Sequence, residues 1–188
     1  KRLNGYGVSA CATCDGFFYK GMDVVVVGAG DTAAEEATYL AKLCNKVTML
    51  VRKSEMRASK AMQKRVFNTN NLEVMFNHET KSINGEPGEI GVEGVTAVNN
   101  LTGAETIIPA KGFFVAIGHT PNTSLFKGQL DMDDNGYLII EAGTSKTKID
   151  GVFAAGDVAD HVYRQAVTSA GTGCMAALDA ERFLASQE

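Results

Sequence analysis

Apolar positions along the chain predict buried strands that alternate with helices. Asp23–Val27 contains four consecutive valines, and a β-branched run without polar alternation is typical of a strand buried on both faces of a parallel sheet. After a glycine-rich turn, apolar residues recur at helical spacing over residues 32 to 43, and Lys46–Val51 has the pattern of a second strand. These segments together predict one βαβ unit.

The middle of the chain predicts elements of both kinds. Residues 59 to 67 favour a helix, and Leu72–Phe76 favours a short strand. Residues 92 to 98 and 105 to 108 flank an Asn-Asn-Leu-Thr-Gly turn, which predicts an antiparallel ribbon packed on the parallel sheet. Residues 112 to 118 predict one more buried strand. The fold class is therefore α/β.

A polar loop follows Gly118, and we place a domain boundary there. The predicted domains are residues 1 to 118, which contain the βαβ unit, and residues 119 to 188. The second domain is predicted to contain two strands and one long helix, at residues 137 to 140, 152 to 155 and 165 to 184.

Composition narrows the class of protein. The chain has 188 residues, of which 45% are hydrophobic and 21% charged, as in ordinary globular proteins. A net charge of −4 without a basic run argues against nucleic-acid or anionic-membrane binding, and no apolar run predicts a transmembrane helix. The chain lacks an initial Met and a secretory signal, so we expect a segment of a longer protein. Four cysteines are too few for a disulfide scaffold and favour the reducing cytoplasm.

The turn after the first strand has the pattern of a dinucleotide fingerprint. Gly28 permits a tight turn, Gly30 lets the backbone approach a pyrophosphate, and Ala33 allows close helix packing. Asp31 and Thr32 begin the helix, whose N-terminus is expected to face the phosphates. The alternative is a chance glycine turn, but the flanking strand and helix lie where the fingerprint requires them.

The end of the second strand distinguishes the two nicotinamide cofactors. A site for NAD places an acid there to accept the ribose hydroxyls, whereas a ribose phosphate requires arginine. This chain has Arg52 and Lys53, followed by Arg57, and its first acid, Glu55, lies beyond the strand end. The sequence therefore favours NADPH; the alternative is a solvated basic loop.

The pair Cys11 and Cys14 has the C-x-x-C spacing of a redox couple or of half a zinc site. A structural zinc site commonly needs a second close pair, and Cys44 and Cys174 are isolated, so we interpret those two as buried and inert. Asp15 is a candidate proton shuttle for the leaving thiolate or, equally, a turn residue. The histidines have no triad or metal spacing and are assigned structural or surface roles: His78, His119 and His161.

These motifs together resemble the low-molecular-weight, bacterial-type thioredoxin reductases over nearly the whole chain. The resemblance rests on the Gly28 fingerprint and on four further blocks, at residues 9 to 18, 116 to 119, 151 to 158 and 164 to 166. Many members of that family have His-Arg-Arg at the end of the second strand. Here Val51 and Lys53 replace the outer two, and the retained Arg52 and Arg57 carry the expected phosphate contact.

The resemblance implies a domain arrangement and a cofactor set. In that family an NADPH domain carrying the dithiol is inserted between two halves of an FAD domain. Residues 1 to 118 resemble the insert and residues 119 to 188 the second half, whereas the first half has no counterpart in the 188 residues. The implied FAD contacts are Asp157 and Val158 at the ribityl and phosphate region and Arg164, Gln165 and Ala166 at the isoalloxazine, with Gly118 also near a cofactor.

The implied activity is thioredoxin-disulfide reduction by NADPH through FAD, in a homodimer. Cys14, beside Asp15, is expected to interact with the flavin, and Cys11 is expected to attack thioredoxin. Rotation of the NADPH domain places a hinge near the start of the chain and near Gly118. Because the first FAD half has no counterpart, we expect uncovered apolar surface on the second domain and no turnover by these residues alone.

Two alternatives stay open. The flavoprotein reductase of the alkyl hydroperoxide system shares the two-domain core, but its pair usually reads Cys-Pro-His-Cys, whereas this chain has Cys-Ala-Thr-Cys. The other alternative is a non-catalytic NADPH-binding or zinc-binding module, which has no redox couple.

Overall fold

The computed structural model describes residues 2 to 89 and 91 to 187, and the chain divides between Gly118 and His119 into two compact units. In the first unit, a short 3₁₀ turn at Gly16–Tyr19 follows the first helix. The helices of this unit are α1 (Ala12–Asp15), α2 (Asp31–Leu40) and α3 (Lys60–Phe67). Its strands are β1 (Val8–Ser9), β2 (Asp23–Val27), β3 (Lys46–Val51), β4 (Leu72–Phe76), β5 (His78–Glu86), β6 (Gly91–Asn99), β7 (Glu105–Pro109) and β8 (Gly112–Val115).

A five-stranded parallel sheet forms the centre of the first unit. Its strand order is β1-β8-β2-β3-β4, so β2 lies in the middle. The register pairs Val25 with Thr48 on one side and with Phe113 on the other. The predicted strands β2, β3 and β4 have the bounds that the sequence indicates, and the α/β class is confirmed.

The run of valines in β2 reflects burial on both faces. Val24 and Val26 face a cluster that includes residues of α2 and α3, whereas Val25 faces a cluster that includes Val95 and Ala97 of β6. Each face of the strand is therefore covered by an apolar layer, and neither face can carry polar residues. The unit consequently has three layers, with helices on one side of the parallel sheet and the antiparallel strands on the other.

The antiparallel layer has three strands in the order β5-β6-β7, one more than the sequence predicts. The additional strand, β5, contains mostly polar residues, and its register shifts at two places, between Thr80 and Ser82 and between Asn84 and Gly85. Such irregularities interrupt the two-residue period by which a strand is recognised. Residue 90 lies outside the described residues, between β5 and β6.

The two longer helices of the first unit, α2 and α3, lie close to their predicted bounds, whereas the short helix α1 was not predicted. The regular helix α2 ends at Leu40, three residues early, because the N–H groups of Lys42 and Leu43 bond to carbonyls three residues back in tighter turns. At the start of α3, Ser59 caps the helix by accepting a hydrogen bond from the N–H of Met62 at 3.4 Å.

The second unit contains less regular structure than predicted. The segments at residues 137 to 140 and 152 to 155 were both expected to be strands, and this was wrong. They make only the single bridges Met132 to Leu138 and Lys146 to Phe153, because no strand of the described part of this unit pairs alongside them. Short 3₁₀ turns occur at Ser124–Phe126 and Gly156–Val158.

The long helix of the second unit, α4 (Ala166–Ala185), matches its predicted position to within a residue. Phe183 packs edge-on against Phe153, with ring centroids 6.2 Å apart, and Asp179 accepts hydrogen bonds from both the N–H and the hydroxyl of Ser145. Other apolar side chains of α4 are exposed: Val167, Met175, Leu178 and Leu184. Among the described residues, no helix has both the length and the apolar character that crossing a bilayer requires.

The burial pattern predicts a sharp contrast between two leucines. Leu40 of α2 is fully buried in the helix-side core, whereas Leu101, in the turn between β6 and β7, is 75% exposed. We expect Leu40→Ala to lower the free energy of unfolding by about 2–5 kcal/mol, because it leaves a cavity. The matched Leu101→Ala is expected to change it by less than about 0.5 kcal/mol. Urea unfolding followed by circular dichroism checks this, and equal effects would contradict the core assignment.

Candidate nucleotide and dithiol site

In the turn between β2 and α2, the backbone of Gly28 lies too close to neighbouring atoms to carry a side chain. Its φ is 149°, and a Cβ built there lies 2.3 Å from the carbonyl oxygen of Ala116 and 2.7 Å from the Cβ of Ala33. No side chain fits at this distance, so only glycine allows strand, helix and β8 to meet here. At Gly30, by contrast, an added Cβ meets nothing within 4 Å. The turn is therefore packed on its inner side and open on its outer side.

A cavity of about 620 Å³ begins at this turn, where the carboxyl ends of β2 and β3 meet. Ligands of α/β proteins bind at this edge of a parallel sheet. The polar wall combines basic and acidic side chains: Arg52, Lys53, Glu55, Arg57, His78, Glu79 and Thr80. The apolar wall comes from strands of the parallel sheet and from the segment just after β8: Val27, Leu50, Phe113, Val115 and Ile117. The predicted phosphate ligands Arg52 and Arg57 are thus brought to one cavity with Gly28.

The loop after β3 is held by the antiparallel layer. Asn100, beside the turn between β6 and β7, donates from its side-chain amide to the carbonyl of Arg52 at 2.6 Å. The backbone N–H of Asn100 donates to the carbonyl of Asn77. The backbone N–H of Asn77 in turn donates to the carbonyl of Lys53 at 3.1 Å. The backbone that carries the two basic side chains is therefore fixed.

Sequence reasoning missed two residues of the cavity wall. His78 was assigned a structural or surface role, yet it lines the cavity, and its Nδ1 lies 2.6 Å from the carbonyl oxygen of Phe76. Because a carbonyl only accepts, Nδ1–H donates, and this fixes the ring. The hydroxyl oxygen of Thr80 is buried and has no partner in the described part of the chain. Their place just after β4, at the carboxyl edge of the sheet, was the available signal.

The predicted redox pair is joined as a disulfide between Cys11 and Cys14, with the Cα atoms 5.3 Å apart. Cys11 is the N-cap of α1, and its Sγ accepts a hydrogen bond from the N–H of Cys14 at 3.2 Å. Cys11 is half-buried and Cys14 exposed. Ser9 fixes the start of the turn, because its hydroxyl accepts from the N–H of Cys11 at 3.1 Å.

The dithiol segment packs on the helix that begins at the dinucleotide turn. A Cβ built on Gly16 lies 3.0 Å from Leu40 and 3.3 Å from Tyr39, both in α2. The next two residues face outward, with Phe17 70% and Phe18 73% exposed. The segment that carries the disulfide therefore packs on α2, and two exposed aromatic residues follow it.

Asp15, the candidate proton shuttle, follows Cys14 at the end of α1 and is half-buried. Burial, and then the charge of Asp15, raise the pKa of Tyr19. The carboxylate of Asp15 thus acts electrostatically on Tyr19, whose ring packs edge-on against Phe114 at 5.3 Å. Asp15 therefore lies close enough to Tyr19 for its negative charge to disfavour ionisation of the phenol.

The remaining cysteines differ from each other. Cys44 is buried as expected, and burial, together with the nearby charge of Asp23, raises the pKa of its thiol to about 11. Cys174 was also expected to be buried, and this was wrong: its position on α4 is exposed in this chain. The small residues around Cys174 resemble a core in composition, but α4 has no fully buried face.

The predicted flavin contacts lie in one segment of the second unit. Asp160 organises the loop before α4, accepting hydrogen bonds from the N–H groups of Val162, Tyr163 and Arg164 and from the hydroxyl of Thr168. Partial desolvation opposes ionisation, but these donors prevail and lower the pKa of Asp160. Sequence reasoning missed this residue.

The residues predicted to contact the flavin have defined conformations and hydrogen bonds in and around this loop. Arg164 has a φ of 49°, which is uncommon for any residue other than glycine, and its guanidinium donates to the hydroxyl of Tyr137 at 3.4 Å. Gln165 forms a capping box with Thr168, so that Ala166 begins α4. Asp157, within the turn Gly156–Val158, accepts from the hydroxyl of Ser169 at 3.1 Å and is exposed.

Comparison with known proteins identifies the family to which the chain belongs. A protein-family model described as pyridine nucleotide-disulphide oxidoreductase matches residues 1–173, and the chain belongs to that family. Within it, the chain is similar to thioredoxin reductases. That of Streptomyces clavuligerus is 54% identical over 184 residues, which cover 98% of this chain and 56% of that protein.

Solved structures give the same result. Thioredoxin reductase from Giardia duodenalis superposes with a TM-score of 0.85 at 46% identity, covering 98% of this chain and 61% of that one. The Streptococcus pyogenes thioredoxin reductase superposes with a TM-score of 0.89 at 36% identity, covering 96% and 58%. The chain thus spans between 56% and 61% of the length of these relatives.

The raised pKa of Cys44 predicts an unreactive thiol. In the oxidised Cys174→Ser variant, Cys44 is the one thiol left outside the disulfide. We expect no reaction with Ellman's reagent at pH 8 in the folded protein and full reaction in urea. An unfolded thiol ionises near its ordinary value of 9.0 and the folded one near 11, so the contribution of Cys44 to stability is present below pH 9 and falls above it. Rapid labelling of the native variant would contradict the burial.

Proposed function

We propose that the protein acts as an NADPH-dependent flavoprotein disulfide reductase that reduces oxidised thioredoxin through FAD and the Cys11–Cys14 pair. One observation carries the proposal: a disulfide within a single helical turn lies on the same unit as a glycine turn of dinucleotide-binding pattern, beside a cavity that Arg52 and Arg57 line. The names of the relatives, all of them thioredoxin reductases, support this substrate.

The residues around the cavity fit NADPH. The open side of Gly30, beside the N-terminus of α2, leaves room for a pyrophosphate against the backbone. We assign Gly28, Gly30 and the start of α2 to the pyrophosphate, with Ala33 providing close packing. Arg52 and Arg57 are assigned to the phosphate on the adenosine ribose, because guanidinium groups bind phosphate through paired hydrogen bonds.

The second unit offers residues that fit part of a flavin site. Arg164 is held at a positive φ by hydrogen bonds to Asp160, and an uncommon backbone conformation that the surroundings enforce points to a functional position. We assign Arg164, Gln165 and Ala166 to the isoalloxazine. Asp157 and Val158 are assigned to the ribityl and phosphate region, and Gly118 to a position near a cofactor. When bound, the flavin supplies two-electron transfer between the nicotinamide and the disulfide.

The dithiol chemistry follows from the position of the two sulfurs. In the reduced pair, the N–H of Cys14 stabilises a thiolate on Cys11, because it donates directly to that sulfur. The Cys11 thiolate attacks the thioredoxin disulfide, forming a mixed disulfide and releasing one thioredoxin thiolate. The Cys14 thiolate then displaces the second thioredoxin sulfur and restores the Cys11–Cys14 disulfide. Asp15, adjacent to Cys14, is assigned to proton transfer.

The surroundings of the disulfide favour a protein as the substrate. Phe17 and Phe18 project from the 3₁₀ turn directly after α1, and both are largely exposed. Exposed aromatic side chains are enriched at the centres of protein interfaces, where they supply much of the binding energy. A small-molecule disulfide has no need of such a surface. The homodimer and the cytoplasmic location implied by the resemblance stay predictions.

Thioredoxin reduction with NADPH tests the proposal directly. We expect the flavin-containing protein to reduce thioredoxin, measured by NADPH oxidation coupled to insulin reduction. Cys11→Ser and Cys14→Ser are each expected to abolish turnover, because either change removes one sulfur of the exchange. Cys44→Ser serves as the matched control, since this cysteine takes no part in the disulfide, and is expected to retain activity.

The alternatives give different outcomes in the same experiment. A protein that ignores thioredoxin but supports reduction of an alkyl hydroperoxide through a partner protein is the peroxide-system reductase. Stoichiometric zinc, with no reversible Cys11–Cys14 disulfide in a thiol count, identifies a zinc-binding module. Either result refutes the proposed activity.

The basic side chains of the cavity predict a cofactor preference. We expect Arg57→Gln and Arg52→Gln each to weaken NADP⁺ binding by about 10- to 100-fold, the effect of losing a charge-assisted hydrogen bond. Binding of NAD⁺, which lacks the ribose phosphate, is expected to stay unchanged. The control is Arg65→Gln on α3, an exposed arginine outside the cavity wall. Isothermal titration calorimetry measures all of these, and an equal loss for both nucleotides contradicts the assignment.

A further inference from the structure

The dinucleotide turn is bonded directly to the loop that carries Arg57. The carbonyl of Ala29, inside the turn, accepts hydrogen bonds from the N–H of Arg57 at 2.8 Å and from the N–H of Ala58 at 3.0 Å. The side chain of Asp31 adds a third bond, since its Oδ1 accepts from the N–H of Ser59 at 2.9 Å. Three hydrogen bonds thus hold together two segments that are about 28 residues apart in sequence.

The same loop is held from its other side by α3. The side-chain amide of Gln63 donates to the carbonyl of Ala58 at 2.7 Å and to that of Met56 at 3.4 Å. Arg57 therefore occupies a short span whose backbone is fixed by the turn on one side and by a helix on the other. Among the described residues, the Asp31 bond is the side-chain hydrogen bond that joins the turn to this loop, so it can be removed by substitution.

An acid at the position of Asp31 conflicts with a role as a direct phosphate ligand. It lies in the first turn of α2, where the pyrophosphate is expected, and a carboxylate repels phosphate at short range. Its bond to the loop resolves the conflict, because the charge is directed at the N–H of Ser59. The predicted cofactor-binding role of Asp31 is therefore better explained as an indirect one.

We propose that Asp31 is a positioning residue that sets the preference for NADPH over NADH by holding the Arg57 loop against the dinucleotide turn. The inference rests on the proposed function, in which Arg57 binds the ribose phosphate. The pyrophosphate is common to both cofactors, whereas the ribose phosphate belongs to NADPH alone. A change in the loop is thus expected to affect one cofactor and not the other.

Two substitutions at Asp31 separate the hydrogen bond from the charge. Asp31→Ala removes both, whereas Asp31→Asn removes the charge and keeps an oxygen acceptor for Ser59. We expect Asp31→Ala to lower the ratio of NADP⁺ to NAD⁺ affinity by about fivefold, and Asp31→Asn to leave it within about twofold of the unsubstituted chain. The affinities are measured by isothermal titration calorimetry on the full chain with NADP⁺ and NAD⁺.

Ser59 allows the same bond to be broken from the donor side. Ser59→Pro removes the N–H, and the φ of −56° at this position is one that proline adopts. Ser59→Ala is the control, because it removes the helix-capping hydroxyl and keeps the N–H. We expect Ser59→Pro, but not Ser59→Ala, to lower the ratio about as much as Asp31→Ala, with no further loss in the double variant.

The outcomes separate the inference from the function on which it rests. If the unsubstituted chain binds NADP⁺ and NAD⁺ equally, the assignment of Arg57 to the ribose phosphate is wrong. If it prefers NADP⁺ and Asp31→Ala keeps that preference, or weakens both nucleotides alike, the positioning role is overturned. An equal fall in Asp31→Asn and Asp31→Ala also overturns it, since the charge and not the tie then sets the ratio.

Discussion

The close approach of backbone at Gly28 is the constraint on which the rest of the first unit depends. Strand β2 turns into α2 with only 2.3 Å between the position of an absent Cβ and the carbonyl oxygen of Ala116. This contact brings the end of β8, the end of β2 and the start of α2 to one point. The carbonyl of the next residue, Ala29, accepts hydrogen bonds from the loop that carries Arg57. The turn between β2 and α2 is therefore bonded directly to that loop.

The two faces of the parallel sheet support different parts of the chemistry. On the helix side, Gly16 packs against Leu40, which mounts the dithiol turn on α2. On the opposite side, Asn100 of the antiparallel layer holds the carbonyl of Arg52, and the same layer contributes His78 to the cavity. The antiparallel layer therefore holds the backbone beside the cavity, while α2 supports the segment that carries the disulfide.

The sequence predicted correctly those strands and helices whose buried faces produce a regular pattern of apolar residues. It failed where the formation of a strand depends on a neighbouring strand to pair with. The valines of β2 are recognisable because both faces of that strand are covered. Residues 137 to 140 have a similar apolar character, but Leu138 makes one bridge and no ladder, and the local pattern cannot reveal whether a neighbouring strand exists. His78 was missed for a related reason. It lines the cavity because the fold brings the start of β5 there, and no sequence motif includes it.

The small span of the disulfide has a consequence for how oxidation relates to folding. Cys11 and Cys14 are three residues apart, and closing so short a loop removes little conformational entropy from the unfolded chain. On this ground the bond is expected to stabilise the fold less than a disulfide that closes a long loop. The packed cores of the first unit consist mainly of residues outside this loop, so oxidation of the pair constrains only a short segment of the chain.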